Sequence, residues 1–513
     1  MSSALRPPSL GPIVGHTTDT SARVWMRGNE SDDSRTVGIA ALYLNGKYVK
    51  QSARYFRLKR EYDRTGLADF IDIKADTPYL VRMGSLSLDT ADPHDATPDE
   101  EVFGLLPPAE SWLKQLESLP LDTAAANFRT FPGGEVDKLS FIFGSCRYPG
   151  LLWTKKRADA IFGSILKRFN APGDGTQPRF FMMVGDQIYA DTLPKDLGIG
   201  VADTEAEFRE RYMSAFGAAN TRKLLQSVPT YMILDDHEIE DNWVQGRIRR
   251  SEKRQLFQMA IQAYTSYQWF HGPRNFGKYL YYSFQVGGFP FFVVDGRTQR
   301  LRDDEDYDLT DNYLLGRPGK GTGYQGQIDN LVDWLIEQQK TRGDRPKFIV
   351  TASVFAPNEV RTTRNDREKA QDDAWAAFPN TRRHLLQAIT DNHIQNVVFL
   401  SGDIHCSNVA AINFYDKQNG KDSPIRAYSI TSSAFYWPYP FADGNPLDYV
   451  HNSSKENDDF DIGNGWMMRY QAWSFEQDDN YTQVDLDWKQ RSMRIRTFNR
   501  DGNPTKNSET VPL

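Results

Sequence analysis

The feature that most limits how this chain can fold is a series of short apolar runs that are apolar from end to end. KLSFIF (138–143), RFFMMV (179–184), TYMIL (230–234), FPFFVV (289–294), KFIV (347–350) and NVVFL (396–400) show no polar alternation. A continuous apolar run too short for a helix predicts a strand covered on both faces, as in layered sheets. Helical spacing fills several of the gaps between them, in RADAIFGSILKRF, EAEFRERYMSAF, RQLFQMAIQAYTSY, QGQIDNLVDWLIEQQ and TRRHLLQAI. The region therefore predicts an α/β layered domain.

The chain before it has a different texture. From Ile13 to about Phe131, short alternating runs such as ARVWMRG, GIAALYLNG, FIDIKA and YLVRMGSL are separated by turn residues. They predict a small antiparallel β domain, a β-sandwich, interrupted by a short helix in ESWLKQLESL. FPGGEVDK reads as a linker, placing a β-sandwich domain at 1–134 and a catalytic domain at 135–513. With 513 residues and 39% hydrophobic content the chain can bury cores for both.

The residues at the exit of each buried run point to chemistry. The exits read GSCR with Cys146 and Arg147, GDQIYAD with Asp186 and Tyr189, DDHEIEDN with Asp235, Asp236, His237 and Asn242, DGR with Asp295 and Arg297, and SGDIH with Asp403 and His405. Ligands of open α/β sheets gather outside the carboxyl ends of strands. Singly, each residue has a plain explanation: Cys146 as a small buried hydrophobe, Asp186 as a helix cap, Tyr189 as a half-buried ring. Together, thiolate, phenolate, imidazole and carboxylate form a mixed donor set suited to a trivalent or borderline transition metal, with an aspartate able to bridge two subsites. Asp186 is the natural bridge, and Tyr189 offers a phenolate of the kind Fe(III) holds.

The motifs GSC, GDQIYAD, DDHEIEDNW, DGRTQR and SGDIH, in this order, resemble those of the PhoD-like alkaline phosphatases, a branch of the calcineurin-like metallophosphoesterases related in site design to purple acid phosphatases. The resemblance covers the chain from about residue 139 onward. It implies a four-layer αββα core and a bimetallic centre of Fe(III) with a second divalent metal, Ca first and Zn, Mn or Mg as alternatives. It further implies hydrolysis of phosphate monoesters and/or diesters, small or polymeric. Carried over by position, Cys146, Asp186, Tyr189 and His405 resemble the iron ligands, and Asp186, Asp236 and Asp403 those of the second metal. His237 matches the histidine that stands by the leaving group. The chain departs from the family in having Asp241-Asn242 where NN is common, and in Cys406, which matches no family position. TASVFAP (351–357) stands where other metallophosphoesterases carry a further histidine ligand.

Charge shapes the expected mechanism. A phosphate ester resists anionic nucleophiles, so the site must neutralise its oxygens and generate hydroxide near neutrality, which two metals sharing Asp186 can do. Arg147 and Arg297 are candidates to hold phosphoryl oxygens as planar donors, or else arginines that order neighbouring groups. His237 is expected to protonate the leaving alkoxide, or else to orient Asp236. Three other classes compete. A metal-independent hydrolase could use Cys146 as nucleophile with His237 or His405, and would survive chelation. A calcium-stabilised binding protein would account for the acidic runs RDDEDYD and ENDDFD, which as solvated loops need no ion. A dinucleotide oxidoreductase would need a glycine fingerprint after a strand, which is absent.

The net charge of -7 gives no footprint for nucleic acid. No apolar run reaches the roughly 18 residues of a membrane span. Only Cys146 and Cys406 are present, which fits a reducing compartment. MSSALRPPSLGPIVG shows no leader, so a cytoplasmic location is expected, or a periplasmic or secreted one if the chain is a processed form.

Overall fold

The computed structural model describes residues 4–29, 34–91, 97–150, 154–171, 177–191, 201–275, 279–302, 309–319, 325–361, 372–439 and 444–513. The acidic residues of RDDEDYD, 303–308, lie outside them. The fold is mixed α/β with several sheets.

Each of the six continuous apolar runs forms a strand: Lys138–Arg147, Phe181–Met183, Thr230–Met232, Phe289–Val293, Lys347–Val350 and Val397–Ser401. The first three lie side by side and parallel in a seven-stranded sheet. The other three lie side by side and parallel in an eight-stranded sheet. Parallel pairing matters for the site, because it brings the carboxyl ends of neighbouring strands to the same edge.

Both faces of these strands are buried, which explains their lack of alternation. Phe141, Phe143, Met182 and Tyr231 of the first sheet share an apolar cluster with Phe291, Phe348, Val398 and Leu400 of the second. Phe141 meets Phe291 edge-on at 5.5 Å, and Phe291 stacks on Phe348 at 4.6 Å. On the far side of the first sheet, Ile142, Phe181 and Met183 pack with the helices Lys155–Asn170, Glu205–Gly217 and Ser251–Tyr267. On the far side of the second, Phe292, Ile349, Val397 and Phe399 pack with the helices Gln327–Arg342 and Pro379–Asp391.

Residues before the linker form antiparallel strands in two further sheets, of three and five strands. Val14, Val24 and Met26 of one share an apolar cluster with Ala40, Leu42, Val81 and Met83 of the other. Leu10, Ile13 and Trp25 instead pack with the helices that cover the seven-stranded sheet. The short helix expected in ESWLKQLESL is present as a 3-10 turn, Ala109–Trp112, running into the helix Leu113–Ser118.

Both large sheets are completed by strands from the last quarter of the chain. Asn480–Asp487 pairs antiparallel with Lys138–Arg147, and Asp422–Thr431 pairs parallel with Val397–Ser401. In the second acidic run, ENDDFD, Asp461 pairs with Lys417 at 2.6 Å, and the two adjacent aspartates are held by neutral donors. Asp458 accepts from Asn358 and Tyr470, and Asp459 accepts from Ser453, Ser454 and Tyr415.

Candidate active site

At the ends of the parallel strands, the chain turns in a way that few side chains tolerate. Cys146, Asp186, Asp403 and His405 all have positive φ, at 59°, 58°, 73° and 51°. A non-glycine residue there costs about 1–3 kcal/mol, and such strain clusters where a side chain must be aimed at a ligand. The glycines ahead of the two aspartates serve the same turns. A Cβ on Gly185, at φ 109°, would lie 2.8 Å from the Asp235 carboxylate, and one on Gly402 would lie 2.3 Å from Ser145 Oγ. GD in these motifs is therefore a packing requirement as well as a ligand signal.

The side chains converge on Asp186. Cys146 Sγ lies 3.3 Å from Asp186 Oδ2, and the Tyr189 hydroxyl lies 3.4 Å from the same oxygen. Its other oxygen, Oδ1, is buried without a hydrogen-bond partner among the described residues. Asp186, Asp235, Asp236 and Asp403 each bring a carboxylate oxygen within 4.8 Å of the others, and Asp186, Asp236 and His237 form a second such group. Asp403 belongs to the second sheet and reaches the first, its carbonyl oxygen 3.6 Å from Cys146 Sγ and its N–H donating to Ser145 Oγ. His405 belongs to neither group of four or three but lies beside them, stacked on Trp437 at 3.8 Å, and both its ring nitrogens are buried with no hydrogen-bond partner among the described residues.

Electrostatics alone makes this arrangement costly. Burial, then the neighbouring carboxylates, push Asp186 and Asp403 well above the ordinary carboxyl range. Burial also raises Asp235, to about 6, and raises the Cys146 thiol and the Tyr189 phenol. His405 is lowered to about 3, chiefly by burial, so its imidazole is neutral and free to coordinate. Crowded carboxylates with orphaned oxygens, beside a neutral imidazole whose nitrogens have no partner, are a poor apolar core and a fitting donor set for cations.

Several residues that sequence reasoning did not single out hold the site in shape. Glu238 is fully buried and accepts N–H groups from both ligand loops: Gln187 at 2.7 Å, Asp235 at 2.9 Å, and Asp186 and Ile188 at 3.3 Å each. Asp191 binds His237 Nδ1 at 2.8 Å, which leaves Nε2 as the nitrogen free to face a ligand. Burial opposes charge on His237, but Asp236, Asp186 and Asp191 outweigh it and hold the imidazole well above its usual value. Asp373 ion-pairs with Arg297 and Arg300. In sequence, Asp191 and Glu238 stand inside GDQIYAD and DDHEIEDN with nothing to separate a positioning acid from a ligand, and Asp373 lies outside every motif.

Two expected roles need correction. Arg147 does not face the carboxylates: side chains alternate along a strand, so Cys146 points to them and Arg147 to the helix side. Its guanidinium lies 5.6 Å over the Phe162 ring, with Asp159 as its nearest charge influence. Arg297 is at the site, with Nε and Nη2 taken up by carboxylates. It pairs with Asp235 at 2.5 Å, with Asp236 at 3.3 Å and with Asp373, and its side chain is 0% exposed. It orders carboxylates, and only Nη1, buried without a hydrogen-bond partner among the described residues, is left uncommitted. Asp295, the acid of DGR, caps its own turn by accepting the N–H groups of Arg297 and Thr298. Asn242, at φ 53°, donates its backbone N–H to Asp236. Cys406 is a buried thiol whose Sγ reaches the Ser407 carbonyl at 3.9 Å.

Comparison with known proteins agrees with the motifs. Alkaline phosphatase D of Bacillus subtilis (strain 168) is 21% identical over 304 residues, covering 54% of this chain and 47% of that protein. The chain thus spans about half the length of the curated relative it matches. A solved structure of PhoD superposes with a TM-score of 0.64 at 15% identity, covering 100% of this chain and 90% of the other, and shows the fold in common. The profile of the PhoD-like phosphatases matches residues 162–483, more than half of the sequence, and the chain belongs to that family.

Proposed function

We propose that the protein is a metal-dependent phosphoesterase, hydrolysing phosphate monoesters and/or diesters at a bimetallic centre. The observation that carries this reading is the convergence on Asp186, with a thiol and a phenol at one carboxylate oxygen and three further aspartates grouped with it. In this reading Cys146, Asp186, Tyr189 and His405 hold an Fe(III) ion, and Asp186, Asp236 and Asp403 hold a divalent ion, Ca first among candidates. Bound there, the ions supply Lewis acidity, neutralising phosphoryl oxygens and lowering the pKa of water. The same reading takes the shared cluster between the two large sheets, with helices beyond each, as a four-layer αββα core. It takes residues 1–134 as a β-sandwich domain ahead of a catalytic domain at 135–513.

The protein's own residues do the rest. Asp191 fixes the His237 tautomer through Nδ1, so a proton carried by the imidazolium sits at Nε2, from which it passes to the leaving alkoxide oxygen. Arg297 keeps Asp235 and Asp236 oriented before any ligand arrives. Strain at Cys146, Asp186, Asp403 and His405 pre-aims the donors, so little reorganisation remains to be made on binding.

Metal analysis of the purified protein, joined to a panel of phosphate mono-, di- and triesters, tests the reading. Iron and a second metal at near-unit stoichiometry are expected, with ester hydrolysis that chelation abolishes. Asp186→Asn should lose both metal content and hydrolysis while remaining folded. Full metal content with near-normal turnover in that variant, or activity indifferent to chelation, would overturn it.

A further inference from the structure

Trp437 and Tyr439, at the outer edge of an aromatic cluster beside the carboxylates, have no part in the reaction proposed above. The strand Ser433–Tyr436 runs parallel to Lys138–Arg147, pairing Tyr436 with Arg147, so Trp437 and Tyr148 leave the sheet side by side. Tyr148 meets Trp437 edge-on at 5.5 Å, Tyr439 at 5.3 Å and Tyr189 at 5.4 Å, and its hydroxyl binds that of Tyr439 at 2.7 Å. Trp437 lies flat on His405, and Tyr189 lies on His237 at 4.3 Å. The rings thus form a wall from His405 to His237, flanking the metal-capable group.

The wall is graded in depth. Tyr148 and Tyr189 are buried, Trp437 is partly exposed and Tyr439 is 41% exposed, an unusual position for a large ring. Buried indole N–H groups normally find a partner, yet Trp437 Nε1 has none among the described residues. Stacking alone therefore sets the position of the indole, while its backbone N–H is anchored on Asp479. A partly exposed aromatic surface beside a cluster of carboxylates suits a planar ring, which gains by offset or edge-on stacking.

We propose that Trp437 and Tyr439 form a subsite for an aromatic ring carried by the alcohol half of the ester, so that esters bearing an aryl or heteroaryl group bind in preference to aliphatic ones. The inference rests on the phosphoesterase reading, which fixes where the phosphoryl group lies.

Phenylphosphonate and methylphosphonate have P–C bonds that the reaction does not cleave, so their affinities report binding alone. Calorimetry on the full-length, metal-loaded protein should find phenylphosphonate bound roughly tenfold more tightly than methylphosphonate, the scale of a stacking contact. Tyr439→Ala and Trp437→Leu should shrink that ratio severalfold, with inorganic phosphate bound within about twofold of the parent affinity by Tyr439→Ala. Tyr439→Phe, which keeps the ring, should keep the preference. Equal binding of the two phosphonates, or a preference that persists in both ring-deleting variants, overturns the subsite while phosphate binding leaves the phosphoesterase reading standing. Failure of phosphate and both phosphonates to bind overturns the two together.

Discussion

Tyr189 is the residue whose chemistry is most specific. A buried phenol beside a carboxylate has its acidity suppressed, by burial first and by Asp186 next, so its hydroxyl stays protonated unless a cation takes the proton's place. A ferric phenolate absorbs visible light by charge transfer, and the concentrated, oxidised protein should be coloured. Tyr189→Phe keeps the ring stacked on His237 and removes only the oxygen, so it should fold while losing or shifting the band. An unchanged spectrum in that variant would remove Tyr189 from the metal. His237 poses a separate question, because it lies within ligand distance of Asp186 and Asp236 as well as in hydrogen bond to Asp191. If it gives a proton to the leaving group, His237→Ala should slow esters of poor alkoxide leaving groups by about 10²- to 10⁴-fold and nitrophenyl esters far less. Equal losses across a leaving-group series would make it a ligand or a positioning residue.

The turns after the strands, rather than the strands, decide whether these side chains meet. Glu238 ties the turn after Phe181–Met183 to the turn after Thr230–Met232 through backbone N–H groups. Burial pushes its carboxyl up to about 8, against the pull of those N–H donors. Glu238→Gln places an amide NH₂ where one carboxylate oxygen accepted N–H groups, so donor meets donor. It should cost about 1–3 kcal/mol of stability and weaken metal binding about 10- to 100-fold, measured by denaturant unfolding and metal titration; wild-type metal affinity would show that the turns hold without it. The same element scale explains what could be read in advance. FMMV and VVFL announced themselves because burial on both faces removes alternation, and Cys146, Asp186 and Asp403 stood out because strand ends are where ligands go. Glu238, Asp191 and Trp437 were illegible because their roles lie in contacts between distant turns, with no period or spacing to mark them. Of the two roles open to Arg147, alternation along the strand disfavours the phosphoryl one, because once Cys146 faces the carboxylates its neighbour faces the helices.

For the whole molecule, the site sits at the junction of two sheets, and its charge is a property of the entire fold. Asp186 and Asp403 are raised well above the ordinary carboxyl range and Asp235 to about 6, by burial and by one another. A carboxyl whose folded pKa is raised contributes stability that is fully present below its unfolded value, near 4, and is lost as pH rises through the folded value. The metal-free protein should therefore become less stable as pH rises from about 4 to 6, the window that Asp235 sets, by up to about 1.4 kcal/mol per pH unit for each proton taken up on folding. Bound cations neutralise the same oxygens without protons, so the loaded protein should lack this slope and gain stability by mass action over the metal-free form. The expected outcome is a gap in melting temperature between loaded and chelated protein that widens from about pH 4 to pH 6, and that Asp186→Asn narrows most at the higher pH because one carboxyl that must take up a proton in the metal-free fold is gone. Parallel pH profiles for the two forms would mean that the carboxylates are neutralised from within, by Arg297 and its neighbours, and that the cluster was built for stability rather than for metal.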